Sequence, residues 1–287
     1  MKIVTEMLYG GYVILMSRVK DIRLKVIPSN VANDFIKKHH YSGRVAMTSM
    51  LHFGCFLDKR IHGVMSFGNP LDKGKVIGLV NGAKWNEMLE INRMAFDDFL
   101  PKYSESRCLA IAIRLIKKHA PHIKWILSYA DATMCGDGTI YRASGFVLTQ
   151  INKNSTIWKT PSGLTFAGTS MTAKGKNASP IKVQAVKSDL LNTTGQWVEE
   201  TGASSMKGFR ELGCSPVVGF QIRYIYLIDK TCEITVPILP FSKIKEMGAS
   251  MYKGEKLCDV GVKRSTASFQ DVGGGAIPTT SLHLNYA

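Results

Sequence analysis

The sequence predicts an α/β fold, a mixed sheet with helices packed on it. Three observations predict it. Apolar runs of strand length alternate with helix-like periodicities from residue 21 to residue 146. The stretch Ser104 to His119 (SESRCLAIAIRLIKKH) is apolar on most sides, as a helix lying against a sheet must be. A chain of 287 residues is also long enough to bury one generous core with additions.

The elements follow in order. Asp21 to Ile27 (DIRLKVI) alternates polar and apolar residues like a strand; Pro28 stops it, and Ser29 offers an N-cap to a helix over Asn30 to His40. Leu51 to Leu57 and Ile61 to Phe67 flank Asp58-Lys59-Arg60, the pattern of an antiparallel hairpin. Met88 to Phe96 reads as the next strand and Ser104 to His119 as the buried helix, its Lys117, Lys118 and His119 sitting where the helix dipole favours cations. Lys124 to Ala130 is a buried strand, Thr139 to Ser144 a short helix closed by Gly145, and Phe146 opens a further strand. Residues 163–207 are polar and weakly periodic, and read as an insertion before the clear strand Phe220 to Ile228 (FQIRYIYLI). Residues 16–253 are thus expected to form one domain carrying that insertion, and residues 254–287 a flexible tail. Met16 would itself make a normal start, so residues 1–15 read as an upstream extension or as an extra strand.

Composition narrows the partners. Lys and Arg number 37 against 22 Asp and Glu, a formal charge of +15 that suits a polyanion held through phosphate contacts, with a merely basic surface as the alternative. The six cysteines (Cys55, Cys108, Cys135, Cys214, Cys232 and Cys258) form no CxxC pair, which argues against a zinc site or a disulfide framework and fits a reducing cytoplasm. The apolar stretch Gly10 to Met16 is too short to span a bilayer, so no membrane partner is expected.

Four groups of residues are able to carry chemistry. Lys102, Ser104, Ser106 and Arg107 surround the start of the buried helix, where backbone N–H groups and the dipole hold a phosphate; an ordinary N-cap is the plainer alternative. Tyr141 lies in GTIYRASGF, about one helical turn before a Gly-Phe that turns into a strand. His39, His40, Tyr41 and Arg44 share one loop: imidazole serves as a base or metal ligand, a phenol stacks on an exposed base, and a guanidinium holds phosphate. Simple complementation of a helix C-terminus is the other option there. Glu90, Asn92 and Arg93 on one central strand neighbour Ser128, Tyr129 and Asp131 on the next. Strict alternation sets Glu90 and Asn92 on one face and Ile91 and Arg93 on the other, and an ion pair of Arg93 with Asp131 or Glu90 is the structural alternative to catalysis.

The strand, phosphate-loop helix, strand and short helix with Tyr141 and Gly-Phe resemble the Gcn5-related N-acetyltransferase (GNAT) fold, a mixed, mostly antiparallel sheet flanked by helices. That resemblance implies acetyl-CoA as cofactor, with its pyrophosphate at Lys102, Ser104, Ser106 and Arg107 and Tyr141 protonating the departing thiolate. Serines 104 and 106 stand where that loop usually has glycine. The ordered set HHYSGR (His39 to Arg44), WNEMLEINRMAF (Trp85 to Phe96), SESRCLAIAIRLIKKHAPHIKWILSYADATMCGDGTIYRASGF (Ser104 to Phe146) and GFQIRYIYLID (Gly219 to Asp229) is more specific: it resembles the phage Mom DNA-modification family over roughly residues 21–253.

That second resemblance implies a transferase that converts adenine in double-stranded DNA to N6-methylcarbamoyladenine, protecting phage DNA from restriction in the host cytoplasm. Tyr41, Glu90, Asn92, Asp131 and Tyr141 are then the expected catalytic residues, and Lys37, Lys38, Arg44, Lys84 and Arg93 the expected DNA contacts. Because plain acetyl transfer does not make this product, a metal such as iron on His39, His40 and Asp131 is a further expectation. Two rivals stay open, a conventional N-acetyltransferase acting on an amine or protein and a noncatalytic DNA-binding protein. The oligomeric state also stays open, a homodimer included.

Overall fold

A computed structural model describes residues 18–256 apart from 102, 173–179 and 199–205. Residues 1–15, Lys102 and all of the expected tail beyond 256 lie outside the described residues. The chain runs β1 (Arg23–Val26), α1 (Ser29–His39), β2 (Ser49–Leu57), β3 (Arg60–Gly68), β4 (Val80–Asn81), β5 (Met88–Phe96), α2 (Ser104–His119), β6 (Trp125–Asp131), α3 (Ala132–Cys135), α4 (Thr139–Ala143) and β7 (Val147–Asn154). It continues with β8 (Ile157–Lys159), β9 (Thr165–Ala167), α5 (Gly168–Thr172), α6 (Pro180–Thr194), α7 (Met206–Glu211), β10 (Ser215–Pro216) and β11 (Gly219–Leu227). No helix among the described residues is long and apolar enough to cross a membrane.

Seven strands form the central sheet in the order β1-β2-β3-β5-β6-β11-β7. Every pairing is antiparallel except β5 with β6, the pair joined by α2. A parallel pair needs such a crossover because its connection must return the full strand length. The hairpin β2–β3 turns at Asp58 and Lys59, both left-handed at φ 50° and 64°, the backbone that a tight two-residue turn demands. Ser29 proves to be the first helical residue of α1 and not its cap: Pro28 holds that position, and no side chain bonds there.

The two faces of the sheet are covered differently. On one face α2 buries Cys108, Leu109, Ala112, Ile113 and Ile116 against Met65, Phe67, Ile91 and Ile126. Truncating Leu109 or Ile116, both under 2% exposed, to alanine should cost about 2–5 kcal/mol. On the other face α1 packs Ala32, Phe35 and Ile36 on Val64 and Ala95, while Val76, Leu79 and Val80 cover Trp125, Leu127 and Ile225.

The segment expected to be an insertion carries structure of its own. With the flanking β8 and α7 it encloses a small core of Trp158, Phe166, Val186, Leu190, Trp197 and Phe209. Helix α6 buries only Val186 and Leu190, one turn apart, which is why its periodicity is faint in the sequence.

Candidate active site

Strands β5 and β6 stay in register only from Met88–Trp125 to Ile91–Ser128. Beyond that point β5 follows β3 to Phe96 and β6 follows β11 to Asp131, so the two strands part at their carboxyl ends. A crevice between parting parallel strands is a natural ligand site. Its walls carry Glu90, Asn92 and Arg93 on β5 and Ser128, Tyr129 and Asp131 on β6.

A bulge corrects the expected facing of these residues. Ser66 pairs with Arg93 and Phe67 with Ile91, leaving Asn92 as the extra residue of β5. Ile91 and Met94 therefore both reach the α2 core, and Arg93 leaves the sheet on the side of Glu90 and not, as alternation predicts, on the side of Ile91. Asn92 is buried and pins the bulge: its Oδ1 accepts from Ser49 Oγ at 3.0 Å and its Nδ2 donates to Asn69 O at 3.3 Å. Gly68 must be glycine beside it, since a Cβ there would lie 1.9 Å from Thr48 O and 2.7 Å from Asn92 Oδ1.

The His40–Arg44 loop leans over this crevice. Tyr41 donates its phenol proton to Asp131 Oδ2 at 2.9 Å, and Asp131 Oδ1 accepts the Thr133 N–H at 3.1 Å, capping α3. Arg93 forms no ion pair with a described carboxylate. It donates instead from Nε to Arg44 O at 2.9 Å and from Nη1 to Asn92 O at 2.6 Å, fastening the loop to the bulge. From the other side Ser170 Oγ donates to Ser42 O at 2.8 Å and Arg44 Nη1 to Thr169 O at 3.2 Å.

Burial sets the proton states. Desolvation raises Glu90 to about 7, against the opposing pull of Asn92 and Arg93, so this carboxyl exchanges a proton near neutrality. Asp131 is also raised by burial, with the hydrogen bonds from Tyr41 and Thr133 working against the shift. Burial and the neighbouring Asp131 hold the Tyr41 phenol well above its ordinary range, so it stays protonated. His40, its ring 4.5 Å from that of Tyr41, is driven down to about 3 by burial and by Arg93 and Lys182. Its Nδ1 accepts the Ser42 N–H at 3.2 Å, which assigns the proton of the neutral ring to Nε2.

Those bonds explain why the residues offered for iron do not converge. His40 Nδ1 is taken by Ser42, His39 stacks on Phe35 at 4.3 Å, and both Asp131 oxygens are engaged. Among the described residues no group of three His, Cys, Asp or Glu side chains is arranged to hold a metal ion.

Tyr141 approaches from the opposite face of the sheet. It is buried on α4 against Phe146 and Tyr224, with ring centroids 5.6 and 5.4 Å away, and burial pushes its phenol up to about 12. The Ser128 hydroxyl lies beside it without a hydrogen bond of ordinary length, and the Glu90 charge is felt across the parted strands. Ser144 Oγ donates to Ser106 O at 3.3 Å, so the first turn of α2 sits against the helix that carries Tyr141. At that turn Tyr103 is left-handed at φ 69°, Ser104 Oγ donates to Pro101 O at 2.5 Å, and Ser106 Oγ donates to Tyr103 O at 3.3 Å. Both serine hydroxyls are thus turned onto the backbone.

Of the expected DNA contacts, Lys37 and Lys38 are exposed on the last turn of α1 beside the Tyr41 loop, and Lys84 is exposed at the turn before β5. Arg44 and Arg93 are half-buried and bonded as above. The sequence reading missed three participants. Thr169 and Ser170 offered no signal, lying more than 120 residues from the loop that they touch. Arg223 did offer one, as a lone cation in the apolar run FQIRYIYLI; it is buried across from Tyr129, with Nε donating to Thr149 Oγ1 at 3.0 Å.

The parallel pair inside an antiparallel sheet, joined by α2 and opening into a crevice beside α4, defines a GNAT-like α/β protein. Solved structures similar to it include a Bacillus subtilis acetyltransferase in complex with CoA (14% identity, 46% of this chain and 80% of that one, TM-score 0.32). Another is a GNAT family acetyltransferase from Elizabethkingia anophelis with acetyl-CoA bound (17% identity, 47% and 81%, TM-score 0.34). The chain belongs to the Mom protein family, whose model matches residues 21–243. It is 32% identical over 127 residues to the methylcarbamoylase mom of Escherichia phage Mu, a match covering 44% of this chain and about half, 53%, of that relative.

Proposed function

We propose that this chain is a DNA-modifying transferase that converts adenine in double-stranded DNA to N6-methylcarbamoyladenine and so shields phage DNA from host restriction. The observation that carries the reading is the crevice of a Mom-family chain, with the Glu90 carboxyl, poised at about 7, on the strand of one wall and Asp131, bonded to Tyr41, on the strand of the other. The charge of +15 suits the polyanion.

The target amine is stacked inside a duplex and conjugated to its ring, so the base must leave the helix and the amine must shed a proton. Tyr129 and Trp85 offer faces for the extruded base, and Lys37, Lys38 and Lys84 lie where the backbone would pass. Glu90 accepts the proton as N6 forms its new bond, a task for which a pKa near the working pH is best. Asp131 and Tyr41 hold the base edge. Tyr141, protonated at neutral pH, donates to the leaving group. Acetyl-CoA, held at the first turn of α2 with Arg107, would supply the two carbons; joining its methyl carbon to N6 is a two-electron oxidation that needs a separate oxidant, and the carboxamide nitrogen, which displaces the CoA thiolate, needs a second donor.

Mass spectrometry of nucleosides from DNA of cells expressing the protein tests this. An adenosine heavier by a carbamoylmethyl group, present with the wild type and absent with Asp131→Ala, is the expected result. Unaltered DNA beside soluble, folded protein would instead favour acetylation of an amine or protein.

A further inference from the structure

The His40–Arg44 loop owes its position to a part of the chain outside the central sheet. Ser42 is buried, and its own Oγ is occupied by His40 Nδ1 at 2.8 Å and by the Arg44 N–H at 3.3 Å. The next residue, Gly43, is left-handed at φ 60°, so the Ser42 carbonyl is turned outward at a sharp bend. It meets the hydroxyl of Ser170, a side chain only 1% exposed, at 2.8 Å. Helix α5 adds a second contact through Thr169 O, which accepts from Arg44 Nη1 at 3.2 Å.

Helix α5 is itself firmly seated. Gly168 donates its N–H to Thr156 O at 2.8 Å, and a Cβ at Gly168 would lie 3.0 Å from the Trp158 ring, which belongs to the small core shared with α6 and α7. Lys182 of α6 is near enough to His40 to help depress its pKa. Arg93 holds the same loop from the sheet side. The loop therefore sits between two supports, one from each packed unit.

We propose that Ser170 is a positioning residue of the active site: the 163–207 segment holds the Ser42–Gly43 peptide so that the Tyr41 phenol meets Asp131. This rests on the DNA-modifying reading for its kinetic consequences, though not for its geometry. Without the Ser170 hydroxyl the Ser42 carbonyl is buried and unpaired, and the loop shifts to rehydrate it. A displacement of about an ångström at a reacting group lowers turnover by roughly ten- to hundredfold. The Tyr41 bond works against the rise in the Asp131 pKa, so loosening it moves that carboxyl higher.

The test compares wild type, Ser170→Ala and Ser170→Thr, with Thr193→Val as a control. Thr193 lies in the same segment and, among the described residues, bonds within α6, to Asp189 O and Leu190 O. Expected for Ser170→Ala are a kcat lower by roughly tenfold or more and a KM for DNA within about twofold. Ser170→Thr, which keeps the hydroxyl, should recover part of the rate, and Thr193→Val should match wild type. An unchanged kcat in folded Ser170→Ala would overturn the proposal, as would an equal loss in Thr193→Val. The Tyr41 ring carbon resonance of 13C-tyrosine-labelled protein provides a readout independent of activity. If wild type leaves DNA unmodified, the functional reading has failed, and the proposal then stands or falls on whether Ser170→Ala shifts the Tyr41 ring carbon resonance.

Discussion

The two loops that flank the crevice are held in opposite ways. The His40–Arg44 loop is tied to residues 49, 90, 125 and 128 positions away, through Arg93, Asp131, Thr169 and Ser170. The turn that opens α2 is held mainly over three residues, Ser104 to Pro101 and Ser106 to Tyr103, with one longer bond from Ser144. The first loop takes its shape only when the whole molecule is assembled. The second is stabilised by the hydroxyls of its own segment, which compete locally for backbone acceptors.

The largest effect should come from cutting the long-range loop. Asp131→Ala is expected to abolish adenine modification while the fold survives, and to lower unfolding stability by about 1–3 kcal/mol because the Tyr41 phenol loses its acceptor. Nucleoside analysis and denaturant unfolding measure the two parts. Next is Tyr141→Phe, with turnover lower by roughly 10²–10⁴ and a melting temperature close to wild type, since the neighbouring Ser128 hydroxyl makes no hydrogen bond of ordinary length to a described residue. Restored turnover in that variant would remove Tyr141 from proton transfer.

A smaller effect follows from Glu90. Between its ordinary value of 4.5 and its folded value of about 7 the native carboxyl keeps a proton that the unfolded chain has released. Unfolding free energy should therefore fall as pH rises through that window, by about 3 kcal/mol from this group alone. Glu90→Gln should flatten that slope, which urea titrations at several pH values would show. The local loop should respond least. Ser104→Ala is expected to cost about 1 kcal/mol, its buried hydroxyl being bonded to Pro101 O, and Ser106→Ala less than about 0.5 kcal/mol. A Ser106→Ala variant as damaging as Asp131→Ala would break the contrast between the loops.

Much of the scaffold was legible in the sequence because strands and helices announce themselves through periods of two and of 3.6. The hairpin around Asp58 and Lys59, the buried helix Ser104–His119 and the short helix bearing Tyr141 stand where those periods and their Gly and Pro stops predict. The neighbouring strands of Glu90 and Asp131 were legible from their apolar runs, but Tyr41 joined Asp131 as an expected site residue only through the family resemblance, since 90 positions separate the two along the chain. Ser29 shows the limit of local signals, for a residue suited to capping a helix instead begins it.

By itself, then, the sequence determined the elements, the charge and the kinds of chemistry available, because these depend on residue type and near-neighbour spacing. The tertiary structure alone decided that a bulge at Asn92 swings Arg93 toward Glu90, that the metal candidates do not converge, and that Ser170 braces Ser42. Each of these depends on register or on a contact across the chain, and a single side chain carries no record of the partner that folding will bring to it.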